Sequence, residues 1–158
     1  MLDIPVIDFE TEAIDGSTAY NPPKPVGVSI KRPGEKSFYY AWGHPTGNNC
    51  TEEAGRIALM ATLTMSRGRY LAQNSAFEAA ILDKYYDHRT YDPLKVEDSM
   101  FLIFLSDPYA STFSLKPSAE RILGMKPEEQ DAVKDWVLAN VPCKTSEWGA
   151  HIAKAPGD

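Results

Sequence analysis

Two acids, Asp8 and Glu10, stand one residue apart in the run Ile4-Pro5-Val6-Ile7-Asp8-Phe9-Glu10. On a strand this spacing sends both carboxylates out of the same face, about 6–7 Å apart along the backbone. Acids held that close on a rigid element suit Mg²⁺ or Mn²⁺, hard cations that take oxygen ligands. The same spacing also fits a strand that simply surfaces there, its acids solvated beside Thr11 and Glu12. Glu78 is the third candidate and admits two readings as well. Ser75-Ala76-Phe77-Glu78 has the S-x-x-E form of a capping box, in which the acid folds back onto the cap amide. In the other reading Glu78 lies on a first helical turn beside a stripe of Phe77, Ile81 and Tyr85, and faces the strand of Asp8 and Glu10. Asn74 is then either a turn residue or a donor to a substrate.

The remaining polar residues read as structural. His44, His88 and His151 are scattered without a partner at ligand spacing, which makes them surface or turn residues. Asp98 reads as a helix cap or a support for the ligands. Tyr85 and Tyr86 read as core and rim, with base stacking as the alternative. Arg67 and Arg69 bracket Gly68 as a solvated turn, with phosphate contact as the alternative.

Several elements must position these side chains. The first run carries apolar residues on both faces, which predicts a central strand covered on both sides. Val26–Ile30 and Ser37–Trp42 predict two more strands, joined by the turn sequence Arg32-Pro33-Gly34-Glu35. Short connections make these three an antiparallel meander. Thr51, followed by Glu52 and Glu53, caps a helix running to about Ser66, with Ile57, Ala58, Met60, Ala61 and Thr64 at helical spacing. A short strand over Arg69–Gln73, a helix over Phe77–Tyr86 and a fifth strand near Leu94–Val96 follow. Asp98 or Ser99 opens an apolar helix to about Leu105. Ser114 caps the next, with Leu115, Ala119, Ile122 and Leu123 as its core face and Gly124 as its stop. Pro127 starts a last helix that buries Trp136 and ends at Pro142. The fold class is α/β: three antiparallel strands, then parallel ones, in a mixed sheet flanked by helices.

Composition narrows the function classes. The chain has 158 residues, 43% hydrophobic and 24% charged, enough for one domain with a real core. A net charge of −6 argues against holding nucleic acid by a basic surface alone. It leaves open an enzyme that places cations between its acids and a phosphate. Cys50 and Cys143 form no disulfide framework or zinc pattern, so a reducing, cytoplasmic setting is expected. The longest apolar run, Met100–Leu105, is far short of the ~20 residues of a membrane helix.

The run Ile7-Asp8-Phe9-Glu10-Thr11 resembles the first motif, D-F-E-T, of the DEDD 3′→5′ exonucleases. Leu71-Ala72-Gln73-Asn74-Ser75-Ala76-Phe77-Glu78 is similar to their second. Val96-Glu97-Asp98-Ser99-Met100, then Phe113-Ser114-Leu115-Lys116 and Ile122-Leu123-Gly124, resemble the proofreading domains of family A and phage DNA polymerases. The resemblance covers about residues 4–125, with the motifs in order. It implies an RNase H-like fold and hydrolysis of terminal phosphodiesters at a single-stranded 3′ end of DNA. It also implies two divalent cations, Mg²⁺ or Mn²⁺, on Asp8, Glu10 and Glu78, and substrate contacts from Thr11, Asn74 and Phe77. Two departures stand out. Glu78 replaces the usual Asp, and the third motif is missing: no tyrosine has an Asp four residues on, and no histidine one five residues on. The chain thus reads as one exonuclease domain over residues 1–158, the N-terminal part of a longer protein with a polymerase domain, and of low activity by itself. The rival classes are a non-catalytic scaffold on the same fold and a metal-dependent endonuclease.

Overall fold

The computed structural model describes residues 3–14, 21–87, 95–125 and 129–157. Five strands form one mixed sheet: β1 (Val6–Thr11), β2 (Pro25–Lys31), β3 (Phe38–Ala41), β4 (Tyr70–Ala72) and β5 (Val96–Asp98). Their order is β3-β2-β1-β4-β5. The first three pair antiparallel as a meander, and β4 and β5 join parallel to β1. The turn between β2 and β3 closes by a bond from the Glu35 amide to the Arg32 carbonyl (3.1 Å), with Gly34 at φ +76°. Proline at the second turn position and a glycine with positive φ at the third are what such a reversal needs.

The helices are α1 (Glu52–Met65), α2 (Ser75–Tyr86), α3 (Ser99–Ser106), α4 (Leu115–Leu123) and α5 (Glu129–Asn140). A 3₁₀ segment, Trp148–Lys154, follows and packs against α5 and β1. Pro127, the expected helix start, lies outside the described residues, as does Leu94. Among the described residues no helix is long and apolar enough to cross a membrane.

The core lies on one face of the sheet. Ile7, Phe9, Val28 and Ile30 point into it, against Leu59 and Leu63 of α1 and Ile81, Leu82 and Tyr86 of α2. Burial of each such side chain is worth about 1.5–3 kcal/mol, so this face anchors β1 firmly. Thr51 caps α1 as expected, accepting from the Ala54 amide (3.2 Å). The buried face of α1 differs from the expected one. Leu59, Thr62 and Leu63 meet the sheet, while Ile57 is 59% exposed and Ala61 and Thr64 face outward. Thr62 is tolerated inside because its hydroxyl donates to the Ala58 carbonyl (2.8 Å) and accepts from Arg32 Nε (2.9 Å).

Two further expectations are corrected in the second half. Leu115, Ile122 and Leu123 of α4 are exposed; the buried residue is Ser118, whose small side chain lets α3 approach beside Ile103. In α5 the fully buried residue is Val137, and Trp136 is only half-buried. Gly124 does end α4, in a left-handed conformation.

Candidate active site

Alternation on β1 assigns the two sides of the sheet. Ile7 and Phe9 enter the core, so Val6, Asp8 and Glu10 share the opposite face. Across the antiparallel ladder Asp8 pairs with Ser29 and then Tyr39, and Glu10 pairs with Gly27 and then Ala41. This second face is only partly covered: Asp8 keeps solvent access and Glu10 is half-buried. Enough protein surrounds both for desolvation to matter. Burial raises the Asp8 carboxyl above its ordinary value. Burial, with the Asp8 charge beside it, pushes Glu10 up to about 7.

Glu78 approaches β1 from α2, on the side of Ile7 and Phe9, near enough to feel the Asp8 charge. It is 2% exposed, and its Oε2 has no hydrogen-bond partner. Burial pushes its carboxyl up to about 8, and the charges of Asp8 and Asp98 act in the same direction. The backbone amides of Glu78 and Phe9 pull it partly back, which places the carboxyl against β1. The capping box does not form. The residue preceding α2 is Asn74, in a left-handed conformation (φ 56°) with no side-chain capping bond, and Ser75 is already helical. Ser75 is committed elsewhere: its amide and hydroxyl both donate to Asp98 Oδ2, at 2.7 and 2.9 Å. The buried line of α2 is Ser75, Glu78, Ile81, Leu82 and Tyr86, with Phe77 and Tyr85 on its flanks. Tyr86 stacks on Phe9 (5.7 Å) and belongs to the core.

Asp98 explains why α2 starts where it does. Its Oδ1 accepts from the Met100 amide (2.8 Å), capping α3, and from the Asn74 amide (3.2 Å). With the two bonds from Ser75, one carboxylate binds the first turns of both helices. It therefore fixes the height at which Glu78 meets β1. Ser99 reinforces the junction: its hydroxyl donates to Gln73 Oε1 (2.5 Å) and lies 3.3 Å from the Ala72 carbonyl.

A cleft of about 330 Å³ opens beside Glu10, lined by Glu10, Thr11 and Phe77 and closed by Gly149 and Ile152 of the 3₁₀ segment; Asp8 and Glu78 are not in its lining. The expected substrate-contacting residues thus split. Thr11 and Phe77 border the cleft; the Asn74 side chain is exposed and its amide serves Asp98. Arg67 and Arg69 form the turn into the N-terminal end of β4, the opposite end of the parallel strands from the acids.

Sequence reasoning missed His44. It is 7% exposed, not a surface residue, and it bridges Tyr39 Oη (Nε2, 2.6 Å) to the Ala155 carbonyl (Nδ1, 2.9 Å). Burial raises the Tyr39 phenol above its ordinary value, as do the charges of Glu10 and Asp8, so the phenol lies within electrostatic reach of both acids. A partner 111 residues away leaves no local pattern to read. His151 is half-buried in the 3₁₀ segment, and His88 lies outside the described residues.

No protein-family model matches the chain, and no curated protein does. The chemistry of the site has to come from its donor set. Among the described residues no three carboxylate, imidazole or thiol groups stand close enough together to hold a metal ion. What stands there is two repelling pairs, Asp8 with Glu10 and Asp8 with Glu78. A buried carboxylate oxygen without a donor is costly unless a proton or a cation satisfies it. In that respect the orphaned Glu78 oxygen is open to a proton or a cation.

Proposed function

We propose that this chain is a metal-dependent 3′→5′ exonuclease module with an RNase H-like fold, acting on a single-stranded 3′ end of DNA. The reading is supported most by Glu78, a buried carboxylate with an orphaned oxygen that packs near the central strand and feels the Asp8 charge. The strand order β3-β2-β1-β4-β5, with the acids on β1, supports it too. Asp8, Glu10 and Glu78 would hold two divalent cations. When bound, such cations lower the pKa of water and stabilise charge in an in-line displacement. The rest falls to the chain's own residues. Asp8 and Glu10 supply ligands from a strand immobilised by the core, which favours precise placement. Glu78 supplies one from a helix start fixed by Asp98. The cleft of about 330 Å³ beside Thr11 and Phe77 would receive the terminal nucleotide, with Phe77 at its border as the aromatic for the base.

No tyrosine or histidine stands at third-motif spacing from an Asp, so slow turnover is expected from the 158-residue chain. The test is loss of the terminal nucleotide from a 3′-labelled single-stranded oligonucleotide with Mn²⁺ or Mg²⁺. We expect slow, metal-dependent shortening from the 3′ end, abolished in Asp8→Ala. Cleavage of circular single-stranded DNA would replace this reading with an endonuclease. Absence of both activities, with no rise in melting temperature at millimolar Mn²⁺, would replace it with a scaffold, because a ligand that binds only the folded state must stabilise it.

A further inference from the structure

Tyr39 occupies an unusual place on the acidic face. Its phenol lies over Gly27, the ladder partner of Glu10, and a Cβ at residue 27 would collide with the Tyr39 ring and hydroxyl. Directly opposed residues place their Cβ atoms about 4.5–5.5 Å apart. The Tyr39 hydroxyl therefore stands where a side chain facing Glu10 would begin, and the phenol feels the Glu10 charge. A phenol so placed would be expected to donate its proton to the acid. Instead it is bonded to His44 Nε2 at 2.6 Å.

The direction of that bond follows from the next one. His44 Nδ1 lies 2.9 Å from the Ala155 carbonyl, which has no proton to give, so Nδ1 carries the hydrogen. In a neutral imidazole Nε2 is then an acceptor. Tyr39 must donate to it, and the one phenolic proton points away from the acids. Toward Glu10 the oxygen presents only lone pairs.

We propose that His44 withholds the Tyr39 proton from Glu10, so that the Glu10 carboxylate carries no competing hydrogen bond and stays open to a cation. His44 and Tyr39 are in this sense positioning residues: they touch no reacting atom and act through Glu10. The Ala155 carbonyl selects the tautomer, which makes docking of the segment after Trp148 part of the same device. Gly27 is needed because only a residue without a side chain leaves room for the phenol. The inference rests on the proposed cation site.

The experiment is Mn²⁺ binding by calorimetry to wild type, His44→Ala, Tyr39→Phe and the double variant, with a metal-free melt of each. Without His44 the phenol turns to Glu10, and Mn²⁺ affinity should fall about tenfold, the fold-change that one hydrogen bond to a charged group supports. Tyr39→Phe alone should bind within about twofold of wild type. In the double variant, affinity should return to near the wild-type value, because no hydroxyl is left to compete. A role confined to anchoring the C-terminal segment would give no such rescue. Nitrogen NMR of the His44 ring in the wild-type chain supplies a readout that needs no variant: hydrogen on Nδ1 is expected, and hydrogen on Nε2 would overturn the inference. A loss in His44→Ala that Tyr39→Phe does not reverse would overturn it too. Where His44→Ala does not fold, a marked affinity loss in Tyr39→Phe alone is decisive against it. Wild type that binds no Mn²⁺ overturns the cation site itself, and with it this use of His44, while the ring tautomer still reports the bond's direction.

Discussion

Asp98, at the end of β5, and Glu78, on the first turn of α2, are both buried carboxylates near the start of α2, and their surroundings differ sharply. Asp98 receives four donors, from the amides of Asn74, Ser75 and Met100 and from the Ser75 hydroxyl. Glu78, one helical turn on, has an oxygen with no donor and other acids for neighbours. The same functional group therefore does opposite work in two adjoining regions. At the α2–α3 junction its charge is spent on holding two helix starts together. At β1 one of its oxygens meets no donor, a condition that costs stability unless a proton or a cation satisfies it. The contrast separates an acid that holds two elements together from one that no donor satisfies.

Removing Asp98 should have the largest effect on stability. Asp98→Ala leaves three amides and a hydroxyl at the junction without their acceptor. Bonds to a charged group contribute about 1.5–3 kcal/mol each, and some orphaned donors will reach water. A net loss of about 4 kcal/mol is expected, or roughly 8–16 °C in Tm for a domain of this size. A urea titration of the metal-free chain measures it. A change below about 1 kcal/mol would break the comparison, by showing that the junction does not depend on the carboxylate.

Glu78→Gln should act in the other direction. Folded Glu78 and Glu10 hold protons up to about pH 8 and about pH 7, while the ordinary value for both is 4.5. Between these limits the folded chain binds more protons than the unfolded one, so stability falls as pH rises through the window. Tm of the metal-free wild type should drop by a few degrees from pH 5 to about pH 8, and millimolar Mn²⁺ should restore it. In Glu78→Gln the drop should be smaller, with Tm at pH 8 roughly 2–4 °C above wild type, and the Mn²⁺ response should be largely lost. Melts at four pH values with and without Mn²⁺ read all of this. A Tm that rises steadily from pH 5 to pH 8 would mean that the acids are compensated by groups on the chain.

How far such contrasts can be read from sequence depends on the distance to the partner. Asp8 and Glu10 were legible because alternation along one strand fixes their common face. The caps at Thr51 and Asp98 and the stop at Gly124 were legible for the same reason: a helix end is defined by residues within one turn of it. Ser75 misled because its local pattern matched a capping box while a carboxylate 23 residues away offered a charged acceptor. Charged acceptors outcompete a local cap. The outward face of α4 misled because amphipathic spacing shows that a helix has an apolar side without showing what lies against it. His44 was invisible, since nothing near it in sequence marks a bridge to Ala155.

The smallest expected effect is also the sharpest test of how the two carboxylates divide. Ser75→Ala removes one hydroxyl donor to Asp98 and should cost about 1 kcal/mol, whichever acid the serine serves. The single variant therefore decides nothing, but two double-mutant cycles do. If the hydroxyl belongs to Asp98, Ser75→Ala should cost almost nothing in an Asp98→Ala background, giving a coupling of about 1 kcal/mol, while its coupling to Glu78→Gln should stay within about 0.5 kcal/mol. Residual coupling to Glu78 would arise only through the charge that Asp98 and Glu78 feel from one another. A capping box would reverse the order, since in that motif serine and acid satisfy the same helix start reciprocally. Both cycles should be run near pH 5, where the Glu78 carboxyl is protonated and its charge cannot imitate a direct contact. Larger coupling to Glu78 than to Asp98 at that pH would reassign the serine, and would leave Glu78 a structural acid after all.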